Sequence, residues 1–98
     1  MNEEIASTIL EQMGGMHRLH AMVGATQFVY IENGLKFRFK GSRRANGIRI
    51  KLNANDEYDV LIYQIRKVDW KVVDEATGLQ WNDLIPHFER VTGLYLNL

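Results

Sequence analysis

No cysteine occurs in this chain, and proline occurs once. Without cysteine there are no disulfides, no thiolate nucleophile and no cysteine-ligated zinc, a composition that suits a reducing compartment. With so little proline and no low-complexity tract there is no linker to find, and residues 1–98 are expected to form a single ordered domain. Long apolar runs are missing too. None approaches the roughly 20 residues that a membrane-spanning helix needs, and the opening MNEEIASTIL carries acids where a secretory signal would carry bases. The expectation is a cytoplasmic protein without a membrane partner. Net charge is the last absence: Lys and Arg number 12 and so do Asp and Glu, so the chain as a whole exerts no long-range pull on nucleic acid or membrane.

What the chain does have is β-type sequence. Glu57 to Glu75, EYDVLIYQIRKVDWKVVDE, holds two runs rich in Tyr, Val, Ile and Trp on either side of Lys67-Val68-Asp69. They predict strands over Tyr58 to Arg66 and Trp70 to Glu75, the first apolar on both faces and therefore interior to a sheet. Upstream, Leu35, Phe37 and Phe39 alternate with Lys36, Arg38 and Lys40, and Ile48, Ile50 and Leu52 alternate with Arg49 and Lys51. A period of two puts the apolar side chains on one face and the bases on the other. A further strand around Phe28 and Tyr30 runs into Asn33-Gly34, a dipeptide suited to a tight hairpin because both residues tolerate positive φ. Gly41 to Gly47 reads as a loop tipped by Arg43-Arg44, with Asn46-Gly47 able to turn the chain back.

Helices bracket these strands. Asn2 is placed as an N-cap, Glu3 and Glu4 lie at the positive end of a helix dipole, and Ile5, Ile9, Leu10 and Met13 form one stripe of a helix over Glu3 to Met13. Trp81, Leu84, Ile85, Phe88 and Val91 mark a C-terminal amphipathic helix, with Pro86 in its first turn or at a kink and Gly93 as its stop. Met16 to Ala25 is read as a loop with one helical turn, because Gly24 closes it so early. The predicted class is α+β: about five antiparallel strands in meander order with N-terminal and C-terminal helices packed on the sheet. Trp70, Trp81, Tyr95, Leu96 and Leu98 exceed what that core needs, which leaves two outcomes, a homodimer through a sheet edge or the Leu94 to Leu98 tail, and a well-packed monomer.

Along Ile9-Leu10-Glu11-Gln12-Met13-Gly14-Gly15, Met22-Val23-Gly24-Ala25, Tyr58-Asp59-Val60 and Thr92-Gly93-Leu94-Tyr95 the chain resembles a group of short uncharacterised proteins encoded by bacteriophages and mobile elements. The resemblance implies a phage-type origin and a host-cytoplasmic setting, and it carries no activity to transfer. Lys40-Gly41-Ser42-Arg43-Arg44 departs from the more neutral loop of that group.

Chemistry-bearing patterns are sparse. His17 and His20 stand three apart, but a zinc site wants further ligands that the neighbouring sequence does not offer, so no metal is assigned. Asp83 and His87 sit four apart on the last helix, where a plain helical hydrogen bond is the simpler reading. With no triad, nucleophile elbow or glycine-rich phosphate loop, no catalytic residue, cofactor or enzymatic activity is expected. One feature stands out. Lys36, Arg38, Lys40, Arg43, Arg44, Arg49 and Lys51 follow one another with no acid between them, on two strands and their connecting loop. The leading expectation is a non-enzymatic protein that binds, or inhibits, a host or phage protein through this basic face and loop. The alternative is a nucleic-acid-binding protein of little sequence specificity, with Tyr30 or Tyr63 as stacking surfaces. Against both stands a solubilised sheet face whose bases pair with Asp59, Asp69 or Asp74.

Overall fold

The structure, a computed structural model, describes residues 2–96. In chain order it runs α1 (Asn2–Gln12), α2 (Met16–Val23), β1 (Thr26–Ile31), β2 (Gly34–Arg38), β3 (Gly47–Leu52), β4 (Tyr58–Arg66), β5 (Asp69–Leu79), a 3-10 turn (Trp81–Asp83) and α3 (Leu84–Thr92). The strands form one antiparallel sheet in the order β1-β2-β3-β4-β5, each paired with its neighbours in sequence, so the α+β meander with terminal helices is the fold observed. Among the described residues no helix is long and apolar enough to cross a membrane.

The alternation in β2 and β3 sets the sides of the sheet. Leu35 lies opposite Ile50, which lies opposite Val60; Phe37 lies opposite Ile48, which lies opposite Ile62. These side chains share one buried cluster with Ala6 and Ile9 of α1, Met13 just after it, Leu19 and Val23 of α2, and Leu84 and Phe88 of α3. All three helices therefore cover the same face. A run of aromatic contacts crosses it from edge to helix: Phe28 to Phe37 at 5.2 Å between centroids, Phe37 to Phe39 at 6.4 Å and Phe39 to Phe88 at 5.1 Å. The last two are edge-on, the arrangement the ring quadrupoles favour.

Four details depart from the sequence reading. Met16–Val23 is a helix, not a loop. Eight residues are too few to be helical alone, and it is the burial of Leu19 and Val23 that offsets the cost of nucleating them. Second, the hairpin at Asn33-Gly34 divides its labour differently: Ile31 pairs with Gly34, so the turn residues are Glu32 and Asn33, and Asn33 alone of the pair takes positive φ, at 58°. Gly34 is a strand residue whose missing Cβ lets the Ile50 carbonyl of β3 approach, since a side chain there would run into that oxygen. Third, β5 continues past Glu75 to Leu79, with Ala76 opposite Val60 and Leu79 opposite Tyr58, two register irregularities absorbing the extra length. Fourth, Asn46 does not turn the chain. Its Nδ2 donates to the Ile65 carbonyl at 2.8 Å and its Oδ1 accepts from the Ile65 N–H at 2.9 Å, a side chain that lengthens the β3–β4 ladder as a peptide would.

The C-terminal end follows expectation except at Trp81, which lies in the 3-10 turn and is exposed, not on the buried stripe of α3. Pro86 is the third residue of α3, inside the first turn, where its missing N–H breaks no helical bond. The Gln80 N–H donates to Asp83 Oδ2 at 2.9 Å and closes the preceding 3-10 turn. Beyond α3, Leu96 is buried and its N–H donates to Glu89 Oε2 at 2.8 Å, so this part of the tail belongs to the core, whereas Tyr95 is exposed. Asn97 and Leu98, and the predicted capping side chain of Asn2, lie outside the described residues.

Candidate functional site on the open sheet face

The sheet face turned away from the helices has no layer over it. The parity that buries Leu35 and Ile50 sends Lys36, Arg38, Arg49 and Lys51 to this open side. In register, Lys36 lies directly opposite Arg49, and Lys51 opposite Asp59. Like charges facing each other across a strand pair are unfavourable, and acids would relieve them. Here they do not: among the described residues none of these four bases has a carboxylate within 4.0 Å. Asp59 accepts from Asn53 Nδ2 at 3.0 Å, Asp69 closes the β4–β5 hairpin opposite Arg66, and Asp74 turns to the helix side.

Next to the bases runs an apolar strip from β4 and β5. Leu61 and Tyr63 are buried although they stand outside the helix-facing core, and Trp70 and Val72 beside them are exposed. Arg38, Gly47, Tyr63 and Val72 make one row across the sheet. The Tyr63 ring lies flat over Gly47, where any Cβ would collide with it, and packs at 5.8 Å and 35° against Trp70. Glycine at this point of a strand interior is thus covered by its aromatic neighbour. Tyr30, the other tyrosine considered, pairs beside Leu35, and its hydroxyl sits 3.4 Å from Ser7 of α1, so it belongs to the helix side.

Burial pushes the Tyr63 phenol above its ordinary range, with the Arg38 and Arg49 guanidinium charges pulling it part of the way back. Tyr58 is also raised by burial, and its hydroxyl donates to Gln12 Oε1 at 2.7 Å. Each phenol holds its proton more tightly in the folded chain than in the unfolded one. Above the ordinary value of 10.0 the unfolded chain therefore sheds protons that the folded chain keeps, and stability falls as pH rises through that region. Melting curves from about pH 8 to about pH 11 should stay level and then decline, and Tyr63→Phe should flatten part of the decline. An identical decline in Tyr58→Phe, Tyr63→Phe and the parent would refute this assignment.

The remaining bases are elsewhere. Lys40, Arg43 and Arg44 lie in the loop after β2, which is tied to the helix layer: the Ser42 hydroxyl donates to the Thr92 carbonyl at 2.8 Å, Arg44 Nη1 to the Val91 carbonyl at 3.4 Å, and the Lys40 N–H to the Val23 carbonyl at 2.8 Å. Arg44 thus places its charge at the negative end of α3. Of the seven bases, four share the open face and three line this loop.

Two of the three histidines are structurally engaged. His20 Nδ1 donates to the Ala25 carbonyl at 3.0 Å, while His17 is exposed. His87 is buried with both nitrogens occupied: Arg90 can only donate, so its Nη2 fixes Nδ1 as an acceptor at 2.9 Å, and Nε2 donates to Asp74 at 2.8 Å. Its partner is thus Asp74 on β5, not Asp83, which lies in the 3-10 turn before α3.

Two hollows open on this face. One of about 440 Å³ lies among Arg49, Lys51, Asp59 and Glu75, and one of about 190 Å³ lies between β1 and β4 over Arg38 and Tyr63. Comparison of the chain with family models, with curated proteins and with solved structures found no match.

Proposed function

We propose that this chain is a non-enzymatic binding module whose open sheet face holds a single-stranded nucleic acid. The observation that carries the reading is Lys36 directly opposite Arg49, with no carboxylate within 4.0 Å of either among the described residues. An arrangement that disfavours the free sheet is relieved by an anion lying along β2 and β3. Arg38 extends the cationic row, and the Tyr63–Trp70 pair gives the bases a platform. Phosphate contacts of this kind position a strand without reading it, in keeping with little sequence specificity.

A second reading, an acidic host or phage protein in the host cytoplasm, is supported by Trp70. It is 56% exposed and packs on Tyr63, and tryptophan and tyrosine are enriched among the residues that anchor interfaces. Salt separates the two. With about three or four phosphate contacts, log affinity for a single strand should fall against log salt with a slope of roughly −2 to −3. Titration of labelled single- and double-stranded oligonucleotides at low salt is the measurement, and absence of any binding there would sink the nucleic-acid reading.

A further inference from the structure

The hollow of about 190 Å³ is bounded by Gln27 and Val29 of β1, by Lys36 and Arg38 of β2, and by Tyr63 and Ile65 of β4. Its inner wall has a cause in the sequence. Gly47 of β3 lies between Arg38 and Tyr63 in the same row and projects no side chain, so the Tyr63 ring settles over it, in the space a Cβ would take, and becomes a wall of the hollow. A second device shapes the outer wall. The β1–β2 register slips between Thr26 and Val29, and Gln27 takes a left-handed backbone with φ 56° although it is not glycine. Irregularities of this sort re-aim a side chain, and a non-glycine residue held at positive φ is a local cost that concentrates at binding sites.

The chemistry of the walls is uneven in an informative way. Val29, Ile65 and the Tyr63 ring offer apolar surface, Gln27 offers an amide with both donor and acceptor, and Lys36 and Arg38 supply positive charge at one side. A flat ring with a polar edge and an attached anion matches all three. The larger hollow does not, because its lining holds two acids, Asp59 and Glu75, for its two bases, Arg49 and Lys51, and so carries no net positive charge. The smaller one is below the roughly 300 Å³ of pockets that enclose a drug-sized ligand, which scales it to a single ring system.

We propose that this hollow is a nucleobase subsite: one base of the bound strand leaves its stack and enters between Val29 and Ile65, its hydrogen-bonding edge towards Gln27, while Lys36 and Arg38 take the adjoining phosphates. This rests on the nucleic-acid reading above. The unstacking that such entry requires costs little in a single strand, where no pairing has to be broken.

The test compares two labelled strands with equal numbers of phosphates, one bearing bases and one built of abasic units, on the intact chain and on Val29→Phe and Gln27→Ala. Val29→Phe fills the hollow from a half-exposed edge position, and Gln27→Ala removes only the amide. The intact chain is expected to prefer the base-bearing strand, and Val29→Phe to weaken that strand about tenfold, the worth of one base contact, with the abasic affinity unchanged. Gln27→Ala should level whatever ranking the four homopolymers show. If both variants bind every base-bearing strand as the intact chain does, the subsite is overturned. Equal affinity for the abasic and base-bearing strands would overturn the subsite alone and leave the phosphate contacts standing, whereas no binding of either strand would remove the reading of the face and the subsite with it.

Discussion

Phe39→Ala is expected to lower stability by about 3–5 kcal/mol, the range for truncating a buried phenylalanine. Its ring is 2% exposed and sits between Phe37 on its own chain segment and Phe88 on α3. Removing it withdraws the link between sheet and C-terminal helix, and the vacated space is walled by strands that are hydrogen-bonded on both sides and close over it only in part. A domain of this length has a total stability of roughly 5–15 kcal/mol, so the variant should unfold at a much lower denaturant concentration, and it should be partly unfolded at 37 °C. The edge-on contact with Phe88 contributes beyond area, so Phe39→Leu, which keeps most of the volume but not the ring, should fall between the two. Denaturant unfolding followed by circular dichroism measures this, and a loss under about 1 kcal/mol for the alanine variant would mean the aromatic run does not join α3 to the sheet.

Much of this arrangement is legible in the chain before any coordinates, for a reason particular to strands. In β2 and β3 a slip of one residue would carry Leu35, Phe37, Ile48 and Ile50 into water and four bases into the core, so the alternation dictates both the strands and their sides. What escapes the sequence is whatever depends on partners far along it. The helix over Met16–Val23 exists because Leu19 and Val23 find a core, and no local signal announces that core. Asn46 and Ile65 are 19 residues apart, and their paired hydrogen bonds cannot be read from an Asn-Gly dipeptide that looks like a turn. The basic segment shows the same limit. Lys36 to Lys51 is uninterrupted as a string, yet the loop after β2 folds towards α3 through Ser42 and Arg44, so proximity in sequence joins charges that the fold assigns to separate places. Tyr63 is legible as a stacking candidate and Trp70 as surplus apolar surface, but their packing on each other is not, because it depends on the β4–β5 register.

That separation gives the binding hypothesis its sharpest consequence. Replacing Lys36, Arg38 and Arg49 together with Ala should weaken single-stranded oligonucleotide binding by roughly a hundredfold at low salt, taking about 1 kcal/mol for each lost charge-assisted contact. It should also make the salt slope shallower by about 2, since each phosphate contact on a single strand contributes about 0.7. Stability should hold or rise slightly, because the variant removes the unfavourable facing of Lys36 and Arg49. Arg43→Ala with Arg44→Ala is the matched control from the loop. There the charges sit on the helix side, so affinity and slope should change little, and the loss of the Arg44 contact with the α3 terminus should appear as a small drop in melting temperature instead. Were the loop pair to reduce binding as much as the strand triple, the strand would have to pass over the end of the sheet and not across its open face. Equal binding by the triple variant and the parent would remove phosphate recognition from β2 and β3 altogether, and leave Trp70 as the anchor of a protein interface.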